Sequence, residues 1–194
     1  MIRTCAVPFA LAAVALLGAA PGTASAQKWY EKAVKKVEGK FTPAEAKPGQ
    51  TVTFTLTVEL NDGYHTYPLT QPDPKADGMV NVLKFPKADK LVFVGKTEDP
   101  KGSLSKEEPD LGIKELLYCP GTVTYTRKVV VSPKATPGAV AVKLDTFSLS
   151  VCDSNNCFPP KKVPVEATFK VLDGPAVAVE QTYAAEVAKA LEGK

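Results

Sequence analysis

Four cysteines and a single histidine, His65, are the residues of this 194-residue chain best suited to redox, nucleophilic or metal chemistry. Cys152 and Cys157 flank Asp153-Ser154-Asn155-Asn156, four small polar turn formers between two strand-like runs. A hairpin there brings the two sulfurs together, so the spacing predicts a local disulfide. Closing so short a loop stabilises a fold by only about 2 kcal/mol. The pair can serve thiol–disulfide exchange, which needs an accessible sulfur such as a hairpin tip offers. It can equally be a structural staple, and the spacing leaves both open.

Cys119 has no partner nearby in sequence and reads as a small buried hydrophobe at a strand start, or else as a third thiol beside the pair. With one His there is little material for a protein-only zinc site or a Ser-His-Asp triad, and no Gly-rich phosphate loop or Cys-x-x-Cys is present. No cofactor is implied. Lys161 and Lys162 follow the pair and favour a thiolate at Cys157 modestly, whereas Asp153 opposes one at Cys152.

The elements that must position these groups read as strands. In Thr51 to Leu60, Val52, Phe54, Leu56, Val58 and Leu60 alternate with Thr51, Thr53, Thr55, Thr57 and Glu59, the pattern of a strand with one face in a core. Further runs are Val34 to Phe41, Tyr64 to Leu69, Val80 to Phe85, Leu91 to Gly95, Thr122 to Val131, Val140 to Val151 and Val163 to Val171. Turn formers separate them at Pro48-Gly49, Asn61-Asp62-Gly63, Pro137-Gly138 and Asp173-Gly174. The fold class is therefore all-β, an antiparallel sandwich with no helices between its strands. Pro164, inside its run, marks an edge strand. Asp99 to Lys114 is polar, rich in Pro and Gly, and reads as a long loop. Tyr183, Val187 and Leu191 recur at helical spacing and predict a short C-terminal helix within residues 176–194. The basic run Lys32 to Lys40 reads as a solvated segment.

Residues 1–26 have the layout of a secretory signal: Arg3, the apolar run Ala6 to Ala20, then Ala24-Ser25-Ala26 as a cleavage box. The expectation is a periplasmic or secreted protein, with one domain over 27–175 and no transmembrane segment after cleavage. Such a compartment lets a disulfide persist. The net charge of +3 gives no reason to expect nucleic acid as a partner.

Three motifs carry a family resemblance. Cys152-x4-Cys157-Phe158-Pro159-Pro160, leading into Lys161-Lys162-Val163-Pro164-Val165, resembles the N-terminal periplasmic domain of the thiol:disulfide interchange protein DsbD. So do Gly63-Tyr64-His65-Thr66-Tyr67-Pro68-Leu69-Thr70-Gln71-Pro72 and Tyr118-Cys119-Pro120-Gly121-Thr122-Val123-Thr124-Tyr125. The similarity spans roughly Val37 to Leu172. It implies an immunoglobulin-like sandwich that carries reducing equivalents between a membrane-embedded redox protein and thioredoxin-like partners. It also implies that Cys157 forms the mixed disulfide, that Cys152 resolves it, and that His65 and Tyr67 line the site. A cap over Glu108 to Ile113 would cover the pair, with Leu111 where the family's cap carries an aromatic. Peptide mapping without reductant is expected to join Cys152 to Cys157 and leave Cys119 as a thiol; a bridge from Cys119 to either would overturn this pairing.

Overall fold

The structure is a computed structural model and describes residues 23–192. The expected signal segment, with Cys5, lies outside the described residues apart from its last few positions. In chain order the first elements are α1 (Thr23–Ala33), β1 (Val34–Thr42), β2 (Glu45–Ala46), β3 (Thr51–Leu60), β4 (His65–Thr66) and β5 (Val82–Lys84). Then come β6 (Leu91–Glu98), β7 (Leu104–Glu108), β8 (Ile113–Pro120), β9 (Thr122–Val131) and β10 (Gly138–Lys143). The chain finishes with β11 (Thr146–Leu149), β12 (Val151–Cys152), β13 (Lys161–Lys162), β14 (Glu166–Val171) and α2 (Gln181–Leu191). No described helix is long and apolar enough to cross a membrane.

Alternation along β3 organises the core. Val52, Phe54, Leu56, Val58 and Leu60 are all buried, while the threonines between them stay half-exposed. β3 lies at the centre of the sheet β1-β3-β9-β6, paired antiparallel with β1 and β9. Facing it across the core are β10-β14-β2 and β13-β11-β5, whose Phe147, Leu149, Ala167, Phe169 and Val171 join the same buried cluster. A fourth sheet, β12-β4-β8-β7, carries the cysteine hairpin. The result is an antiparallel β-sandwich with a short C-terminal helix; among the described residues only β14 and β2 pair parallel.

The outer face of the first sheet is not left to water. Val92, Val94 and Val130 point away from the main core and meet Val187 of α2, which is buried. Glu186 Oε2 accepts a hydrogen bond from Gly95 N, 2.9 Å away, where the register of β6 is broken. The helical stripe read from Tyr183, Val187 and Leu191 is thus a docked face.

Several expectations are corrected. Pro164 does not make its strand an edge: it falls between β13 and β14, and β14 runs between β10 and β2. A residue without an N–H is harmless in that link. The run Val140 to Val151 is three strands, because the chain changes pairing partner twice, from β14 to β5 and β13 and then to β4. Tyr64 to Leu69 pairs only over His65–Thr66, since Pro68 cannot donate to a ladder. Asp99 to Lys114 is mostly the hairpin of β7 and the start of β8, with one 3-10 turn at Pro109–Leu111. The basic run lies largely in β1, paired with β3 along its length, with Lys35, Lys36 and Lys40 outward.

One turn is tightly specified. Gly49 has φ +87°, and a Cβ there would lie 1.9 Å from the Val177 carbonyl oxygen, whose residue donates its N–H to Pro48 O at 2.9 Å. Gly49→Ala therefore combines an unfavourable conformation with a backbone collision. It is expected to cost more than about 1 kcal/mol in urea unfolding; an unchanged midpoint would contradict this packing.

Candidate functional site

The cysteine hairpin closes through its own turn. Asp153 Oδ1 accepts from the backbone N–H groups of Asn155 (2.8 Å) and Asn156 (2.7 Å). Asp153 N donates to Asn156 O at 2.9 Å, and Phe158 N to Val151 O at 3.0 Å. Asp153 supplies the side-chain oxygen that mimics a backbone turn. Those two N–H groups hold its carboxyl below the usual aspartate value. Cys152 and Cys157 are disulfide-bonded, with Cα atoms 4.1 Å apart.

The two sulfurs are unequal. Cys152 is 3% exposed, whereas Cys157 is exposed. The hydroxyl of Tyr67 lies 2.9 Å from Cys152 Sγ and 3.6 Å from Cys157 Sγ. A disulfide sulfur has no proton, so the phenol is the donor. Burial, with a smaller contribution from the Glu108 carboxylate, pushes the Tyr67 pKa up to about 12, so it keeps its proton at neutral pH.

Strand register explains which side chains gather here. Cys152 stands opposite His65, and His65 opposite Pro120, so one face of the fourth sheet runs from the disulfide across β4 to β8. His65 packs edge-on against Tyr67 and Tyr118, at 5.7 and 5.2 Å between ring centroids. The Lys106 ammonium lies 5.5 Å from the Tyr118 ring and pairs with Glu108 at 2.6 Å. His65, Tyr67, Lys106 and Glu108, with Met79, Leu116 and the turn 153–156, line a cleft of about 230 Å³ beside the cysteines. Burial first, then the Lys106 charge, lowers the His65 pKa, while Asp153 and Glu108 pull the other way. Its Nε2 is buried and makes no hydrogen bond among the described residues.

The expected cap is the tip of the β7–β8 hairpin. Glu108 and Leu111 line the cleft, and Leu111 is 56% exposed at its lip. The tip is fastened from outside by Asp73, whose Oδ2 accepts from Lys114 N (2.8 Å) and whose Oδ1 accepts from Lys75 N (3.0 Å). Lys75 Nζ reaches Gly112 O at 3.1 Å. On the other side, Phe158, next to Cys157, stacks on Trp29 of α1 with centroids 5.3 Å apart and planes 10° from parallel. Lys161 lies over Tyr30 at 4.4 Å.

The structure thus brings together Cys152, Cys157, His65, Tyr67 and Leu111. It does not add Cys119. That residue stands opposite Thr66, on the alternate face of β8, and belongs to the main core. It is a buried free thiol 3.2 Å from Ser103 Oγ, and burial raises its pKa. The third-thiol reading is thereby set aside in favour of the apolar one.

Sequence reasoning gave no site role to Asn81, Lys106 or Trp29, nor to Tyr118, Tyr125 and Phe158, which it read only as parts of the motifs. For two of them a signal existed. Asn81 interrupts the apolar run Val80 to Leu83, and Tyr125 lies on the inward parity of β9, where a phenol needs a partner.

Fold and site together define a β-sandwich protein with one hairpin disulfide beside a small polar cleft. No family model and no curated protein matches the chain. Among solved structures, it is similar to a chain of a type I cohesin–dockerin complex from Clostridium thermocellum, at 13% identity and TM-score 0.39 over 71% of this chain and all of that one. It is also similar to AvmM, which catalyses macrocyclization in alchivemycin A biosynthesis, at 16% identity and TM-score 0.35, covering 75% and 92%. A family 123 glycoside hydrolase from Clostridium perfringens aligns at 10% identity and TM-score 0.30, over 68% of this chain and 22% of the hydrolase.

The lowered His65 pKa has a signed consequence. The fold favours the neutral ring, so this contribution to stability is complete above the ordinary value of 6.5 and is lost as pH falls through the folded value. Between pH 7.5 and pH 5, wild-type protein should lose more urea stability than His65→Gln; equal losses would show that His65 is not the group responsible.

Proposed function

We propose that this protein is an exported thiol–disulfide exchange protein acting through Cys157 and Cys152, as the resemblance to the DsbD N-terminal domain implies. The observation that carries this reading is the asymmetry of the pair: Cys157 is an exposed residue, whereas Cys152 is buried with a phenol on its sulfur. An incoming partner thiolate attacks Cys157 Sγ. The Cys152–Cys157 bond breaks as the partner–Cys157 bond forms, and Cys152 leaves as a thiolate carrying the electron pair. Tyr67 already donates to that sulfur, so the developing charge meets a hydrogen bond in place. A second thiol on the partner then displaces Cys157, leaving the protein as a dithiol and the partner oxidised. The reverse sequence, with Cys157 attacking and Cys152 resolving, reduces a partner.

The site needs no cofactor for this chemistry, because both electrons travel in the sulfur–sulfur bond. The partner class is a thioredoxin-like or membrane-embedded redox protein with its own reactive cysteine pair. Leu111 and the turn 153–156 lie at the approach to Cys157 and are the surface such a partner would meet.

A second reading is an exported interaction module whose disulfide is only structural. A β-sandwich with one closed disulfide satisfies it without any exchange step, and Cys152, nearly inaccessible, suits a permanent bridge.

The reduction potential separates the two. An exchange pair should lie above about −300 mV and a structural bridge below it. Cys152→Ala should trap a mixed disulfide with a thioredoxin-like partner through the exposed Cys157. Cys157→Ala should trap little, because the remaining cysteine, Cys152, is a buried residue, 3% exposed. Equal trapping would reject the order of attack, and a low potential with no trapping would establish the staple.

A further inference from the structure

We propose that Asn81 and Tyr125 are positioning residues for the disulfide: together they hold the Tyr67 segment and the strand leading to Cys152 so that the phenol stays on the buried sulfur. This rests on the exchange reading, and it extends that reading to residues outside the cleft.

The argument begins with an unmet backbone group. The β4 ladder ends at Thr66, because Pro68 has no N–H to continue it. Tyr67 is 2% exposed, and its carbonyl would be an orphan. Instead it accepts from the Tyr125 hydroxyl at 2.6 Å and from Asn81 Nδ2 at 2.8 Å.

Asn81 reaches further. Its Nδ2 is also 2.6 Å from Tyr125 Oη and 2.8 Å from Thr66 Oγ1, so its two hydrogens are shared among three acceptors. Its Oδ1 accepts from Ser150 N at 2.7 Å, two residues before Cys152. Thr66 Oγ1 in turn donates to Ser150 O at 2.7 Å. The segment carrying Asn81 is itself sewn in: Asn81 N donates to Pro68 O at 2.9 Å, and Ser150 Oγ to Val80 O at 2.9 Å.

One amide therefore ties the strand that presents Tyr67 to the strand that presents Cys152, and Tyr125 ties both to β9 of the main sandwich. Thr66, Asn81 and Ser150 are three of the four buried polar or charged residues among those described. Their concentration immediately behind the disulfide matters because apolar packing could fill this space but has no direction. Hydrogen bonds in a dry interior fix angle and register. A donor aimed at a leaving sulfur needs both, since a small displacement removes the bond.

The test is a double-mutant cycle on the full chain, read as the rate of disulfide reduction by dithiothreitol. Tyr67→Phe should slow reduction about tenfold, the scale of a hydrogen bond to a charged group. Tyr125→Phe keeps the ring against Phe147 and should slow it about three- to tenfold, on the same scale. The Tyr67→Phe/Tyr125→Phe double variant should be no slower than Tyr67→Phe alone, because Tyr125 acts through Tyr67. Thr66→Val is a second isosteric cut in the network and should behave like Tyr125→Phe. Multiplicative slowing, or wild-type rates in Tyr125→Phe and Thr66→Val while Tyr67→Phe is slow, would overturn the proposal.

An independent readout survives failure of the exchange reading. In wild-type protein, tyrosine carbon NMR should find the Tyr67 phenol titrating near 12. In Tyr125→Phe it should move toward the ordinary value near 10 as the ring loses its seat. An unmoved titration would reject positioning even if the potential proved that of a structural bridge.

Discussion

The hydrogen bond from the Tyr67 hydroxyl to Cys152 Sγ is the contact around which this site is arranged. A disulfide sulfur can only accept, so a phenol within 2.9 Å must point its proton there, and burial keeps that proton on it at neutral pH. For the contact to exist, Cys152 must face inward and Tyr67 must leave the β4 ladder at the right place. Asp153 brings Cys157 back across the turn, which leaves Cys152 buried and Cys157 exposed beside the same cleft. The chemical inequality of the two sulfurs is thus a consequence of backbone geometry.

Charged and titratable groups line the cleft. Lys106 and Glu108 neutralise one another beside it, while His65 is held toward its neutral form. The tip carrying Leu111 is fixed by an exposed carboxylate, Asp73, through backbone N–H groups instead of by burial. Local openings draw on such lightly packed elements, whereas the Trp29–Phe158 stack behind Cys157 belongs to the packed core. The hairpin tip at the cleft is therefore fastened by a few polar contacts, whereas Phe158, next to Cys157, packs against the core.

How much was legible depended on the range of the interaction. β3 announced itself because a period of two along ten residues is a local pattern. The α2 stripe did so for the same reason, at a period of 3.6. The cysteine turn was readable because its ends are five residues apart. By contrast, Pro164 misled, because whether a strand is an edge depends on what pairs with it, which no local pattern records. The segment 99–114 misled because its polar composition suits both a loop and the hairpin it forms, in which only one face meets the cleft.

The sequence by itself determined the all-β class, the inward parity of β3, the hairpin disulfide and the helical tail, since each follows from propensity and spacing over a few residues. Tertiary structure alone decided that Cys119 faces the core and Cys152 the cleft. It alone also put Asn81 and Tyr125, 44 residues apart in the chain, within 2.6 Å of each other behind Tyr67. These outcomes depend on strand register and sheet packing, which are set cooperatively by the whole core; local pattern marks Asn81 and Tyr125 as inward polar groups but does not say which partners they meet.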